Sequence, residues 1–338
     1  MKLTINQIKE IATGAAKIEE IKGEICFSRF TDEQRHLYKN RDADCYLRSL
    51  SSSGIKLSFK TNSKSLTLSV DVSPGSSRKY FSFDVFSGET CIGHLDNFNE
   101  EEMPQKYIET AWPFEKTTKT FSLEGGIKDI TIYFPWSVNT KLCELSLDDD
   151  ATLVPIKREK TLLAFGDSIT QGYDALRPSN TYVARLARAL NADEIDKGIG
   201  GETFFPELAK AKDPVTPDII TVAYGTNDWS LLDKETYEKN CALFFENLRN
   251  TYKDAKIFAI TPIWRTDLSE VTKLGAFPEL AEVIFAQAQK FNIHVVSGLE
   301  MVPHDKNYFA DLFVHPNDTG FEHFYKNLYQ EIIKKGDF

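Results

Sequence analysis

Apolar residues recur at every second position through the first half of this 338-residue chain, and the pattern then changes to short strand-like runs separated by helical ones. Few features restrict a fold as strongly, because side chains alternate across a strand with period 2 and wind round a helix with period 3.6. Ile55, Leu57 and Phe59 alternate with Lys56, Ser58 and Lys60; Thr61-Asn62-Ser63-Lys64 then forms a turn, and Leu66, Leu68 and Val70 resume the alternation. The spacing predicts a hairpin. The pattern returns at Phe81, Phe83 and Val85, at Phe121 and Leu123, and at Ile130, Ile132 and Phe134. With no long helical pattern between these strands, the first half is expected to be an antiparallel β-sandwich. Ahead of it, residues 4 to 20 are expected to form a short helix with Ile5, Ile8, Ile11 and Ala12 on one side.

The change of period falls after Asp148-Asp149-Asp150 and Pro155, so two domains are expected, 1–155 and 156–338. Tyr182, Val183, Leu186, Ala187 and Leu190 have helical spacing, as do the stretches Lys234–Thr251, Pro278–Asn292 and Thr319–Lys335. Strand candidates at Ala255–Ile260 and Ile293–Val296 lie between them. Such alternation implies an α/β domain, a parallel sheet covered by helices on both faces, whose strand ends gather loops along one edge.

Four segments at those edges carry chemistry. The apolar run Leu162–Phe165 stops at Gly166-Asp167-Ser168, where a turn would present a hydroxyl. Asp196-Lys197-Gly198-Ile199-Gly200-Gly201-Glu202-Thr203 is too rich in glycine for a helix interior and reads as a loop that exposes N–H groups. The β-rich Ile219–Tyr224 ends in Gly225-Thr226-Asn227-Asp228, which places an amide at a strand end. Asp311 and His315, in Asp-Leu-Phe-Val-His-Pro, supply a carboxylate and an imidazole before a helix. Taken singly, each suits a cap or a turn. Together they supply nucleophile, base, orienting acid and oxyanion donors, the parts of acyl transfer from an ester.

In this order the four blocks resemble the SGNH (GDSL) hydrolases over about residues 156 to 338. The resemblance implies a three-layer αβα, flavodoxin-like domain, with Ser168 as nucleophile and His315 as base. The N–H groups of Ser168 and Gly201, rather than Gly200, and the Asn227 amide would form the oxyanion hole. Asp311 would complete the triad, although the family has two residues between acid and histidine and this chain has three; a backbone carbonyl or Asp305 are the alternatives. A jelly-roll-like sandwich ahead of the hydrolase is similar to the family 2 carbohydrate esterases. It implies removal of small acyl groups, O-acetyl above all, from a sugar, with no metal and no cofactor. The rivals are a lipase or thioesterase for longer chains, against which the polar loops argue, and a carbohydrate-binding protein of weak activity.

Asp167, Trp229, Trp264 and Arg265 are placed near the substrate by their positions after strands, and an indole there could stack on a sugar face. Trp112 and Trp136 are expected in the core or between domains. The short connection at Pro155 predicts a fixed orientation that brings some residue of 29–48, or Trp112, to the Ser168 pocket.

A net charge of −10 argues against nucleic-acid partners, which demand Lys and Arg for phosphates. The charged opening Met1–Glu10 lacks a secretory apolar core and no run reaches membrane-spanning length, so a cytoplasmic protein without membrane partners is expected. Five cysteines, odd in number and without Cys-x-x-Cys, fit reduced thiols.

Overall fold

The computed structural model describes residues 1–103 and 112–336. The N-terminal region runs α1 (Ile5–Ile11), β1 (Ala12–Thr13), β2 (Lys17–Ile21), β3 (Glu24–Ser28), α2 (Asp32–Arg41) and α3 (Ala43–Ser49). It continues with β4 (Lys56–Thr61), β5 (Ser65–Pro74), β6 (Ser82–Ser87), β7 (Thr90–Asp96), β8 (Thr117–Ser122), β9 (Lys128–Tyr133), β10 (Val138–Leu147) and β11 (Val154–Pro155). One antiparallel sheet has the order β1-β4-β9-β6-β7 with β11 on β4, and the other β2-β3-β10-β5-β8. Leu57, Phe59, Leu66, Leu68, Val70, Phe83 and Ile132 fill one core between them. This is the expected sandwich.

Three local expectations are corrected. The turn after Thr61 does not close a hairpin: β4 pairs with β9 whereas β5 pairs with β10 and β8, so the turn carries the chain from one sheet to the other. An arch and a hairpin bury the same alternate residues, and the sequence pattern cannot tell them apart. The first helix stops at Ile11, and the chain turns at Gly14 with φ +81°, where a Cβ would lie 2.1 Å from the Gly54 carbonyl oxygen. Helices α2 and α3 lie ahead of the alternating strands, where no helix beyond the first is expected. Each buries one polar and one apolar residue, Gln34 and Tyr38 in α2, Ser49 and Cys45 in α3, so no continuous apolar period announces them. The signals present are the Thr31–Gln34 capping box and the Asp42 cap.

The C-terminal part alternates as expected: β12 (Lys160–Gly166), α4 (Ser168–Gln171), α5 (Tyr182–Ala189), β13 (Ala192–Gly198), α6 (Pro206–Lys210), β14 (Ile219–Ala223), α7 (Thr226–Leu231) and α8 (Lys234–Thr251). Then come β15 (Lys256–Ile260), α9 (Phe277–Gln289), β16 (His294–Val296) and α10 (Asp318–Gly336). The five parallel strands have the order β13-β12-β14-β15-β16. Leu163 and Phe165 of β12 pack toward α8 and α9, while Leu162 and Ala164 pack toward α5 and α10. Each strand is therefore buried on both faces, in three layers. The chain leaves β12 in one direction toward β13 and returns on its other side to β14, and that switch point opens a crevice at the strand ends. No described helix is long and apolar enough to cross a membrane.

Buried polar contacts join the sandwich region to the α/β part. Arg29, fully buried, donates to the carbonyls of Asp196 (3.0 Å) and Arg48 (2.9 Å). Buried Lys197 pairs with Asp213 at 2.6 Å and also donates to Gln34 Oε1 at 3.1 Å. The Gln171 amide donates to Ser51 Oγ (3.2 Å) and the Trp136 carbonyl (3.1 Å). Trp136, between the two cores as expected, donates its indole N–H to the Ala175 carbonyl at 2.9 Å. Cutting the chain here takes Arg29 and Ser53 from Asp196, Gln34 from Lys197, and Ser51 and the Trp136 carbonyl from the Gln171 amide, and breaking a buried charge pair such as Arg29–Asp196 costs about 3–5 kcal/mol. Residues 156–338 expressed alone are therefore expected to give no cooperative thermal melt, read by near-ultraviolet circular dichroism; a sharp melt close to that of the full chain would refute the prediction.

Candidate active site

Every piece of the site sits at the carboxyl end of the parallel sheet. A Cβ on Gly166 would lie 2.0 Å from Thr170 Oγ1 and 2.8 Å from the Ala223 carbonyl oxygen, so the chain can turn out of β12 only with glycine there. Asp167 caps α4, its Oδ1 accepting the Ile169 N–H at 2.9 Å. Ser168 is thus released from capping and opens the helix. Burial pushes the Asp167 carboxyl up to about 7, against the Ile169 N–H and the charges of His315 and Arg265.

His315 Nε2 lies 2.9 Å from Ser168 Oγ, and His315 Nδ1 lies 2.7 Å from Asp311 Oδ2. The alignment is in line: hydroxyl, ring, carboxylate. Three residues between acid and base are accommodated because Leu312 adopts a left-handed backbone, φ 56°, which tightens the loop. The other Asp311 oxygen accepts the N–H groups of Phe313 (2.9 Å), Val314 (2.9 Å) and His315 (3.1 Å). Burial works to raise the Asp311 pKa, but the hydrogen bond and charge of His315 and these N–H groups outweigh it and hold the group at about 2. Burial works to lower the His315 pKa; the Asp311 hydrogen bond and the charges of Asp174 and Asp311 prevail and raise it above its ordinary 6.5. Asp305 instead caps its own turn through the Asn307 N–H at 3.0 Å and takes no part.

The glycine loop after β13 turns at Gly201, φ +78°. It is held from both sides: the Gly200 N–H donates to Gln171 Oε1 at 2.8 Å and the Gly200 carbonyl accepts Arg48 Nη1 at 2.8 Å. Asn227 Nδ2, at the start of α7, donates to the Glu202 carbonyl at 2.9 Å, tying the amide to that loop. Neighbouring Asp228 is fully buried and accepts the Phe204 N–H at 3.1 Å, a structural clamp whose carboxyl burial pushes up to about 7. Residues of 29–48 therefore reach the loop beside Ser168. Trp112 instead joins an aromatic cluster with Tyr80 and Phe98.

Two of the expected substrate contacts change. Trp229 is 1% exposed, packs edge-on against Phe277 and donates its indole N–H to the Gly275 carbonyl at 2.9 Å; it is core and offers no face to a sugar. Arg265 is buried over the Trp229 ring, with Nη2 2.8 Å from Asp267 Oδ2 and Nη1 3.2 Å from the Thr226 carbonyl, so it braces the loop. Trp264 is half-buried, stacked on His304 with centroids 5.7 Å apart.

Sequence reasoning missed Asp174 and Arg78, which meet beside His315. Arg78, from the sandwich, forks onto Asp174 at 2.6 and 2.7 Å, and Asp174 Oδ2 is 3.4 Å from His315 Nδ1. No spacing motif links a residue before β6 to one after α4. Asp174, Asp311 and His315 hold ligand atoms within 4.8 Å of one another. Each also has a hydrogen-bond partner outside the three side chains: Arg78 for Asp174, the Phe313 N–H for Asp311 and Ser168 for His315.

Residues 164–323 match the GDSL-like Lipase/Acylhydrolase family. No curated protein matches the chain. Among solved structures, salicylyl-acyltransferase SsfX3 from a tetracycline biosynthetic pathway superposes with a TM-score of 0.78 at 20% identity, over 96% of this chain and 94% of that one. A family two carbohydrate esterase from Cellvibrio japonicus superposes with a TM-score of 0.67 at 15% identity, over 99% and 97%. An acetyl xylan esterase, Est2A, from the rumen bacterium Butyrivibrio proteoclasticus gives 0.64 at 14%, over 99% and 98%. The shared fold thus extends through the sandwich as well as the α/β part.

Proposed function

We propose that the protein, whose residues 164–323 match the GDSL-like Lipase/Acylhydrolase family, is a serine esterase that removes small acyl groups, acetyl above all, from a carbohydrate. The observation that carries this reading is the line Ser168 Oγ, His315 Nε2 and Nδ1, Asp311 Oδ2, joined at 2.9 and 2.7 Å. His315 Nε2 accepts the hydroxyl proton as Ser168 Oγ attacks the ester carbonyl carbon. The N–H groups of Ser168 and Gly201 and the Asn227 amide receive the negative charge that develops on the carbonyl oxygen. The imidazolium, held by Asp311, returns its proton to the departing sugar hydroxyl. Water then repeats the sequence on the acyl-enzyme and releases the acid.

The sugar and acetyl assignments draw on the neighbours described as carbohydrate and acetyl xylan esterases, and on motif loops rich in Asp, Asn, Thr and Gly, a composition that suits a short acyl group better than a long one. We place the protein in the cytoplasm, in keeping with five free cysteines. A second reading follows from the acyltransferase neighbour: an alcohol in place of water would take the acyl group from the same intermediate. Hydrolysis of p-nitrophenyl acetate, p-nitrophenyl octanoate and acetylated xylo-oligosaccharides, with product analysis in the presence of an alcohol acceptor, separates these outcomes. Preference for octanoate would make it a lipase, and transfer exceeding hydrolysis an acyltransferase.

Asn227→Ala should lower kcat on p-nitrophenyl acetate about 100-fold with little change in KM, because an oxyanion donor acts on charge present only in the transition state. Steady-state kinetics check this, and an unchanged kcat would remove Asn227 from the oxyanion hole.

A further inference from the structure

We propose that Asp174, clamped by Arg78 of the sandwich, is a positioning residue that acts as a second carboxylate on His315 Nδ1, so that the N-terminal region helps to orient the base and tune its basicity. The proposal rests on the reading of Ser168 and His315 as nucleophile and base. Asp174 is 1% exposed and held in a left-handed backbone, φ 66°, a conformation that non-glycine residues adopt at a cost and keep where their surroundings enforce it. Its carboxylate is fixed by two hydrogen bonds from Arg78, Nε to Oδ1 at 2.6 Å and Nη2 to Oδ2 at 2.7 Å. The geometry is the planar fork that suits guanidinium and carboxylate, and it is buried on both sides.

That pairing leaves Oδ2 facing the catalytic ring, 3.4 Å from Nδ1, while the Nδ1 hydrogen bond goes to Asp311 at 2.7 Å. Tyr173, the preceding residue, stacks on the imidazole with centroids 5.5 Å apart and planes at 29°, and the Arg78 guanidinium lies 5.4 Å over the tyrosine ring. One arginine thus braces both the acid and the aromatic plate that confine His315. When His315 takes the serine proton, two carboxylates face the new charge and one guanidinium opposes it. Asp174 without Arg78 would be a buried, uncompensated charge; Asp174 with it is a rigid, partly neutralised one.

The groups that face His315 are Asp311 on its own loop, Asp167 and Ser168 at the start of α4, Tyr173 and Asp174 beyond it, and Arg78 from the sandwich. Burial pushes the Asp167 carboxyl up to about 7 and the His315 pKa is raised too, so a rate profile alone would mix two groups. The imidazole is therefore followed directly, by NMR titration of full-length protein carrying ¹⁵N-histidine, with His315 assigned from a His315→Gln variant. Asp174→Asn should lower the His315 titration midpoint by about one pH unit, since an opposing charge within hydrogen-bonding range normally shifts a pKa by that order. The acidic limb of kcat/KM for p-nitrophenyl acetate should move with it.

If the lone Arg78 prevents the single variant from folding, Asp174→Asn combined with Arg78→Met removes both charges and carries the test, with a smaller downward shift. A midpoint within about 0.2 unit of the parent in the folded variant overturns the proposal. A shifted midpoint in a protein that hydrolyses no ester supports the proposal and refutes only the esterase reading. Esterase activity with an unmoved midpoint does the reverse.

Discussion

Ser168→Ala is expected to abolish ester hydrolysis, lowering kcat on p-nitrophenyl acetate by about 10⁴-fold or more, because no other group can form the acyl bond and only the oxyanion donors remain. The fold should be indifferent to the change. Among the described residues the Ser168 hydroxyl bonds only His315 Nε2, while the helix it opens is capped by Asp167, so the melting temperature should stay within a few degrees of the parent. That contrast makes the variant a clean control, since activity disappears from a protein that still melts cooperatively. Residual turnover above about a hundredth of the parent rate would remove Ser168 from the nucleophile's role.

Asp311→Asn should lower kcat by about 10³-fold. The amide can still accept the three backbone N–H groups that the Asp311 Oδ1 holds. Its NH₂ group would face Nδ1, however, and drive the imidazole proton onto Nε2, the atom that must accept the serine proton. Asp174, 3.4 Å from the same Nδ1, limits the loss by offering the ring a second acceptor. Steady-state kinetics with p-nitrophenyl acetate decide: near-parent turnover would leave a Ser168–His315 dyad and refute a triad built on Asp311. The parent enzyme should lose activity as pH falls through the raised pKa of His315, where the base becomes protonated, while Asp311, at about 2, stays ionised throughout.

Local pattern by itself determined the two architectures and the four motif blocks. Strand and helix periods are properties of a few neighbouring residues, so α8 could be read off at Lys234–Thr251, and the sheet's carboxyl edge could be recognised from runs that stop at Gly166 and Gly225. The candidate nucleophile, base, acid and oxyanion donors were legible for the same reason, as each lies within its own turn. The turn after Thr61 was misread because inward alternation records that one face is buried and not which strand lies beside it. Helices α2 and α3 stayed hidden because polar residues share their buried faces with apolar ones, and Gln34 gains its partners, Asp213 and the Ala211 carbonyl, only through the α/β part.

Tertiary structure alone decided the rest. Trp229 and Trp264 look equivalent in sequence, each following a strand, yet one is sealed under Arg265 and the other is half-buried against His304. The extra residue between Asp311 and His315 became harmless only through the left-handed backbone of Leu312. Arg78 and Asp174, 96 residues apart, form a buried pair beside the base. A contact of that kind is specified by how surfaces far apart in sequence meet, and charge pairing at long separation leaves no periodic trace along the chain.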